Sequence, residues 1–190
     1  MAVNLSAQNF SHAGLTETIR GAIATSGLNA KFLEIEVTES MLMRDINTTV
    51  WILQWMRDQG IRISVDDFGT GYSSLAYLRR FPLDVLKIDR SFVQESTQNA
   101  DSAAITRAII GLARSLNLEV VAEGVETVDQ ANFLQNHGCR IAQRFLYGKS
   151  VPAPDFLAML NNARGTARPG VTDPIESAVP GLLGEMVAEG

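Results

Sequence analysis

The sequence predicts an α/β fold, a TIM-like (β/α) barrel built from about six βα units. Three observations predict it: β-type runs alternate with helical patterns, the turns between them are short, and each β-type run carries a polar residue at or near its C-terminal end. Alternation of this kind means parallel strands joined by right-handed crossovers, hence a doubly wound sheet or a barrel. A doubly wound sheet gathers its site near one switch point, whereas a barrel draws on all of its strand ends. Polar residues on every strand therefore favour the barrel.

Taken in order, AVNL (2–5) is a short strand ending near Asn4, and LEIEV (33–37) is the second. In the latter, Glu34 and Glu36 share one face and Leu33, Ile35 and Val37 the other, because side chains alternate along a strand. Apolar spacing at Val50, Ile52, Leu53 and Met56 predicts a helix over 47–59, with Gly60 as its stop. RISVD (62–66) sets Ser64 and Asp66 against Ile63 and Val65, and a helix is predicted over 74–80. DVLKID (84–89) sets Lys87 and Asp89 against Leu86 and Ile88, followed by a helix over 103–116. LEVVAE (118–123) ends on Glu123, a helix over 128–136 closes at Gly138, and RIAQ (140–143) ends on Gln143. Past about Asn161 the chain turns rich in Gly, Pro, Ser and Ala, so residues 1–161 form the domain and 162–190 a flexible tail.

Composition narrows the function classes. A length of 190 residues with 46% hydrophobic content suffices for one domain with a substantial core. The net charge of −5, without a Lys/Arg-rich patch, argues against a non-specific DNA or RNA binder. Cys139 is the only cysteine, which excludes an internal disulfide or a thiolate metal cage and suits a reducing cytoplasm. No run approaches 18 apolar residues and residues 1–10 lack a signal-peptide pattern, so the expectation is a soluble, cytoplasmic chain without a membrane segment.

In a barrel the greasy strand faces meet the helices and the polar faces line the mouth. Four acidic residues converging there with an asparagine amide, and no His or Cys nearby, make an oxygen-rich cage suited to Mg²⁺ or Mn²⁺ rather than zinc. Two such ions, roughly 4 Å apart, would clamp a phosphodiester and activate a water for in-line attack, with Asp66 and Asp67 as ligands. Other roles remain open for single residues. Asp67 could cap the following helix, Glu123 and Glu126 could complement a helix dipole, and Lys87 could merely neutralise Asp89 or Asp66. His12 and His137 lack a partner at ligand spacing and read as structural or exposed. The Asp-Phe-Gly at 67–69 has neither the glycine-rich loop nor the catalytic loop of a kinase, and two acids would face a pyrophosphate bound at 69–74.

VNLS (3–6), EVTES (36–40), DDFGTGYSSL (66–75), LKIDRSFV (86–93), VVAEGVET (120–127) and the GC…Q segment (138–143) stand in the order and spacing of the EAL domain, which this sequence resembles from residue 2 to about 160. That family comprises bacterial phosphodiesterases that linearise cyclic di-GMP on a modified βα barrel. The resemblance implies that Asn4, Glu36, Asp66 and Glu123 are metal ligands, with Asp67 on the second ion. It implies that Lys87 positions or deprotonates the attacking water, and that Glu39 ties down the loop after Asp67, which couples metal binding to dimerisation. Glu126 and Gln143 would contact the water network or the nucleotide. A homodimer and upstream sensory or GGDEF-type domains are the implied partners. Two departures stand out: Arg144 replaces a glycine and Ser150 a proline. The Glu-Ala-Leu motif and its two strands would lie upstream of VNLS, so the expectation is an N-terminally truncated barrel of six strands rather than eight. A catalytically impaired module that binds cyclic di-GMP or a signalling partner is the alternative.

Overall fold

A computed structural model describes residues 1–70, 75–143 and 151–165. Its strands are β1 (Ala2–Asn4), β2 (Glu34–Thr38), β3 (Arg62–Phe68), β4 (Val85–Ile88), β5 (Glu119–Glu123) and β6 (Ile141–Gln143). The helices are α1 (Ala7–Phe10), α2 (Leu15–Ser26), α3 (Glu39–Leu42), α4 (Ile46–Asp58), α5 (Leu75–Leu78), α6 (Arg90–Glu95), α7 (Ala100–Ser115), α8 (Val128–His137) and α9 (Ala153–Gly165).

All neighbouring strands pair in parallel, in the sequential order β1-β2-β3-β4-β5-β6. Sequential order has no point at which the strand order reverses, so the crossovers all turn the same way and the sheet rolls into part of a barrel. Its curl is visible in side-chain reach. On a flat sheet β2 and β5 would lie roughly 14 Å apart, yet Glu36 and Glu123 both accept from the one ammonium of Lys87, at 2.9 and 2.6 Å. At the opposite end of the strands Arg62 pairs with Glu34 on β2 and with Glu119 on β5, reaching past β4.

The strand faces divide as alternation requires. Ile35, Val37, Ile63, Val65, Leu86 and Ile88 are buried against the helices, packed with Leu53 and Met56 of α4 and Ile110 and Ala113 of α7. Capping by Asp45, Asp89, Asn99 and Thr127 starts four of the helices, each side chain accepting a backbone N–H of the first turn.

Several elements depart from the sequence expectation. No helix is expected before residue 47, yet α2 occupies residues 15–26 on a narrow stripe, Leu15 and Ile19 buried and Ile23 packed beside them. Gly21 and three threonines dilute that stripe, which is why its period does not stand out. At six residues, α6 is too short to show a period. Helix α9 runs four residues past Asn161, so its last turn lies where the tail is expected. Residues 166–190, Arg144, Ser150 and the start of the helix expected from 74 lie outside the described residues.

Cys139 is buried, and its Sγ donates to the Ile141 carbonyl at 3.3 Å. Burial pushes the thiol up to about 12, so little thiolate, the reactive form, is present near neutral pH. The native chain is expected to resist an aromatic disulfide reagent at pH 8 and to react as soon as urea unfolds it. Fast native labelling would contradict this placement.

Candidate active site

Each strand delivers its polar residue to the same end of the sheet. Asn4 lies in register with Glu36 across β1 and β2, and Gln143 with Glu123 across β6 and β5. Between these outer pairs, Asp66 on β3 and Lys87 on β4 complete the row. Lys87 Nζ donates to Glu36 Oε1 at 2.9 Å, and its ammonium lies 2.6 Å from Glu123 Oε1 and 3.4 Å from Asp66 Oδ1. Three carboxylates from three strands thus converge on one cation, itself only 4% exposed.

The electrostatics of this cluster show a surplus of negative charge. Burial raises the carboxyls of Glu36 and Glu123 above their ordinary range, and the nearby Lys87 only partly offsets it. Burial alone would push Lys87 down, but Glu123, Asp66 and Glu36 outweigh it and hold the ammonium charged, above the usual lysine range. Three carboxylates share one ammonium, so the cluster holds more negative than positive charge.

Asp67 lies beside the cluster at a defect in the strand. The β3–β4 register shifts between Val65 and Phe68, and Asp67 takes φ 53°, the left-handed region that aspartate tolerates better than most residues. Strict alternation would turn Asp67 away from Asp66, and the register shift interrupts that alternation here. Burial, then Asp66 and Asp89 beside it, raise the Asp67 carboxyl, while Lys87 opposes them. Its own N–H donates to Asp66 Oδ1 at 3.0 Å. Asp89, read in the sequence only as a strand-end acid, caps α6 by accepting from Ser91 N–H at 2.9 Å.

The remaining expected residues sit in the surrounding turns. Glu39 opens α3, is buried, and accepts from Gly69 N–H at 3.0 Å through Oε2. Gly69 has φ 101°, and a Cβ there would come 2.9 Å from Phe92 and 3.0 Å from Ile109. The loop residues 71–74 that follow lie outside the described residues. Glu126 is exposed in the β5–α8 turn, where its Oε1 accepts from Gln94 Nε2 at 3.1 Å. Asn4 and Gln143 are adjacent to the cluster by register.

Sequence reasoning missed Gln94 and Gln130, which hold that turn. Gln130 had a signal: Thr127-Val-Asp-Gln130 is a capping-box pattern, and the reciprocal hydrogen bonds are both present. Gly124 had none. With φ 65°, a Cβ would stand 2.6 Å from Arg90 Cβ and 3.3 Å from Arg90 Cα. Gly124→Ala is expected to lower stability by about 2–4 kcal/mol, from left-handed strain plus overpacking. An unchanged urea midpoint would contradict the close approach.

Among the described residues no group of three or more Asp, Glu, His or Cys side chains is arranged as a ready metal cage. The donor chemistry nevertheless fits a hard cation. The donors are oxygens, and the Lys87 ammonium already stands as a cation among three carboxylates. A cavity of about 290 Å³, lined by Arg114, Leu118, Glu119, Gly138, Arg140 and Ile141, lies at the other end of β5 and β6 and includes none of these residues.

Comparison with known proteins gives the same frame. The family model described as EAL domain matches residues 1–150. The chain is 51% identical over 158 residues to the bifunctional diguanylate cyclase/cyclic di-GMP phosphodiesterase MucR of Pseudomonas aeruginosa, covering 83% of this chain and 23% of that protein. It superposes on the c-di-GMP complex of the phosphodiesterase PaMucR with a TM-score of 0.79 and 50% identity, over 82% of this chain and 63% of that one. A manganese and cyclic di-GMP complex of BlrP1 from Klebsiella pneumoniae matches with a TM-score of 0.70 and 32% identity, over 76% of this chain and 37% of that one. The chain thus spans about a fifth to a quarter of the length of the curated relatives it matches.

Proposed function

The chain belongs to the EAL domain family, and from that premise we propose that it hydrolyses cyclic di-GMP to the linear dinucleotide with the help of divalent cations. The observation that carries this reading is the convergence of Glu36, Asp66 and Glu123 on Lys87 at the mouth of the sheet. Three carboxylates pair with one ammonium there and Asp67 adds a further acid in the adjoining turn, a balance that favours added cations. A phosphodiester, itself anionic, enters such a site only when cations screen it.

Asn4, Glu36, Asp66 and Glu123 would hold one Mg²⁺ or Mn²⁺ and Asp67 with Asp66 a second. Bound there, such ions supply charge neutralisation at the phosphate and acidify a water for in-line attack. Lys87, whose Nζ is held among Glu36, Asp66 and Glu123, would orient that water. Glu39 keeps the turn after Asp67 in place through Gly69 N–H. Glu126 and Gln143, flanking Glu123, bind the nucleotide or its waters.

The same reading places the chain in the bacterial cytoplasm as a homodimer, attached to sensory or GGDEF-type domains. Among the described residues no helix is long and apolar enough to cross a membrane.

The test compares cyclic di-GMP with a generic phosphodiester, bis-p-nitrophenyl phosphate, at fixed Mn²⁺, with products separated by chromatography. Linear dinucleotide is expected at a rate far above cleavage of the generic ester. A folded chain that binds cyclic di-GMP but never linearises it would reject hydrolysis in favour of a binding module.

A further inference from the structure

Helix α6 touches both turns that carry the site's acids. Phe92 packs where Gly69 leaves no room for a Cβ, beside the Asp66–Asp67 bulge. On its other flank Arg90 backs Gly124 just as closely, and Gln94 Nε2 donates to Glu126 Oε1 at 3.1 Å. The β5–α8 turn is fastened to this helix by Gln130, which is 4% exposed and uses both ends of its amide. Its Oε1 accepts from Glu126 N–H at 2.6 Å and Thr127 N–H at 3.0 Å, and its Nε2 donates to the Gln94 carbonyl at 3.0 Å.

An ordinary capping box needs only the acceptor, and glutamate serves as well as glutamine. Donation to a carbonyl on another helix requires the amide, because an ionised carboxylate has no hydrogen to give. The choice of Gln at this position thus has a reason outside α8. We propose that Gln130 is a positioning residue for Glu123 and Glu126: its amide locks the turn at residues 124–127 to α6, which braces the Asp66–Asp67 turn on its other side. This inference rests on reading the mouth as a divalent-cation site.

The test uses Gln130→Met, which removes donor and acceptor at similar length, Gln130→Glu, which keeps an acceptor and loses the donor, and Thr127→Ala, which weakens only the cap of α8. Mn²⁺ alone is the probe, titrated by electron paramagnetic resonance, alongside amide exchange at Glu126 and Thr127. Gln130→Met is expected to weaken Mn²⁺ binding about 10–100-fold, the usual scale for groups that orient ligands, and to speed both exchanges. Gln130→Glu should also bind Mn²⁺ more weakly than the unmutated chain, although its extra charge alone would favour the cation. Thr127→Ala should stay within about twofold, since a lost cap does not break the tie to α6. Unchanged Mn²⁺ affinity in Gln130→Met, or equal weakening in Thr127→Ala, overturns the proposal. An unmutated chain that binds Mn²⁺ but does not hydrolyse cyclic di-GMP sinks the hydrolytic reading, while the comparison among variants still decides the role of Gln130. An unmutated chain that binds no Mn²⁺ overturns both.

Discussion

Replacing Lys87 by methionine is expected to destabilise the metal-free chain by about 3–5 kcal/mol, the scale for removing one partner of a buried ion cluster. The ammonium is 4% exposed and is the only cation in contact with Glu36, Asp66 and Glu123 among the described ion pairs. Without it, three carboxylates face one another in a desolvated mouth. Millimolar Mn²⁺ should return part of that loss, since an ion that binds only the folded state stabilises it by mass action. Urea midpoints with and without Mn²⁺ measure both effects. An unchanged midpoint would mean that Lys87 is not the counter-charge of the cluster. A fall that Mn²⁺ leaves untouched would mean that the carboxylates do not take up a cation.

Glu36→Gln should act on turnover instead. The exchange keeps size and hydrogen bonding while removing one negative donor from the centre of the row, and Lys87 retains Glu123 and Asp66 as partners. The fold should therefore survive. Turnover of cyclic di-GMP is expected to fall by at least about 10²–10³-fold, comparable to losing one preorganised electrostatic contact to a developing charge. Circular dichroism and product chromatography on the same sample separate the two effects. Retained turnover in a folded Glu36→Gln chain would remove Glu36 from the ligand set.

The mouth is legible in the sequence because strand parity is a strict rule. Once Ile35 and Val37 are assigned to the helix-facing side, Glu36 has only the interior to face, and the same holds for Asp66 between Val65 and the bulge. Lys87 follows from Leu86 and Ile88, both fully buried against the helices. Parity fails at Asp67, because nothing in a run of two aspartates announces a bulge or a left-handed backbone. It also says nothing of α6, whose six residues carry no period but whose contacts with Gly69, Gly124 and Gln130 join the two acidic turns. Those contacts depend on close backbone approach between segments about 20 to 35 residues apart in the chain. The sequence pattern shows which residues face the mouth, and tertiary packing determines which of them are held together.

The most direct test of the central claim is the initial rate of cyclic di-GMP linearisation as free Mn²⁺ is raised from a chelated baseline. The carboxylate row around Lys87 predicts no turnover in chelator and a rate that climbs with Mn²⁺ to saturation. A rate independent of the metal, or none at Mn²⁺ concentrations that demonstrably occupy the site, would contradict it.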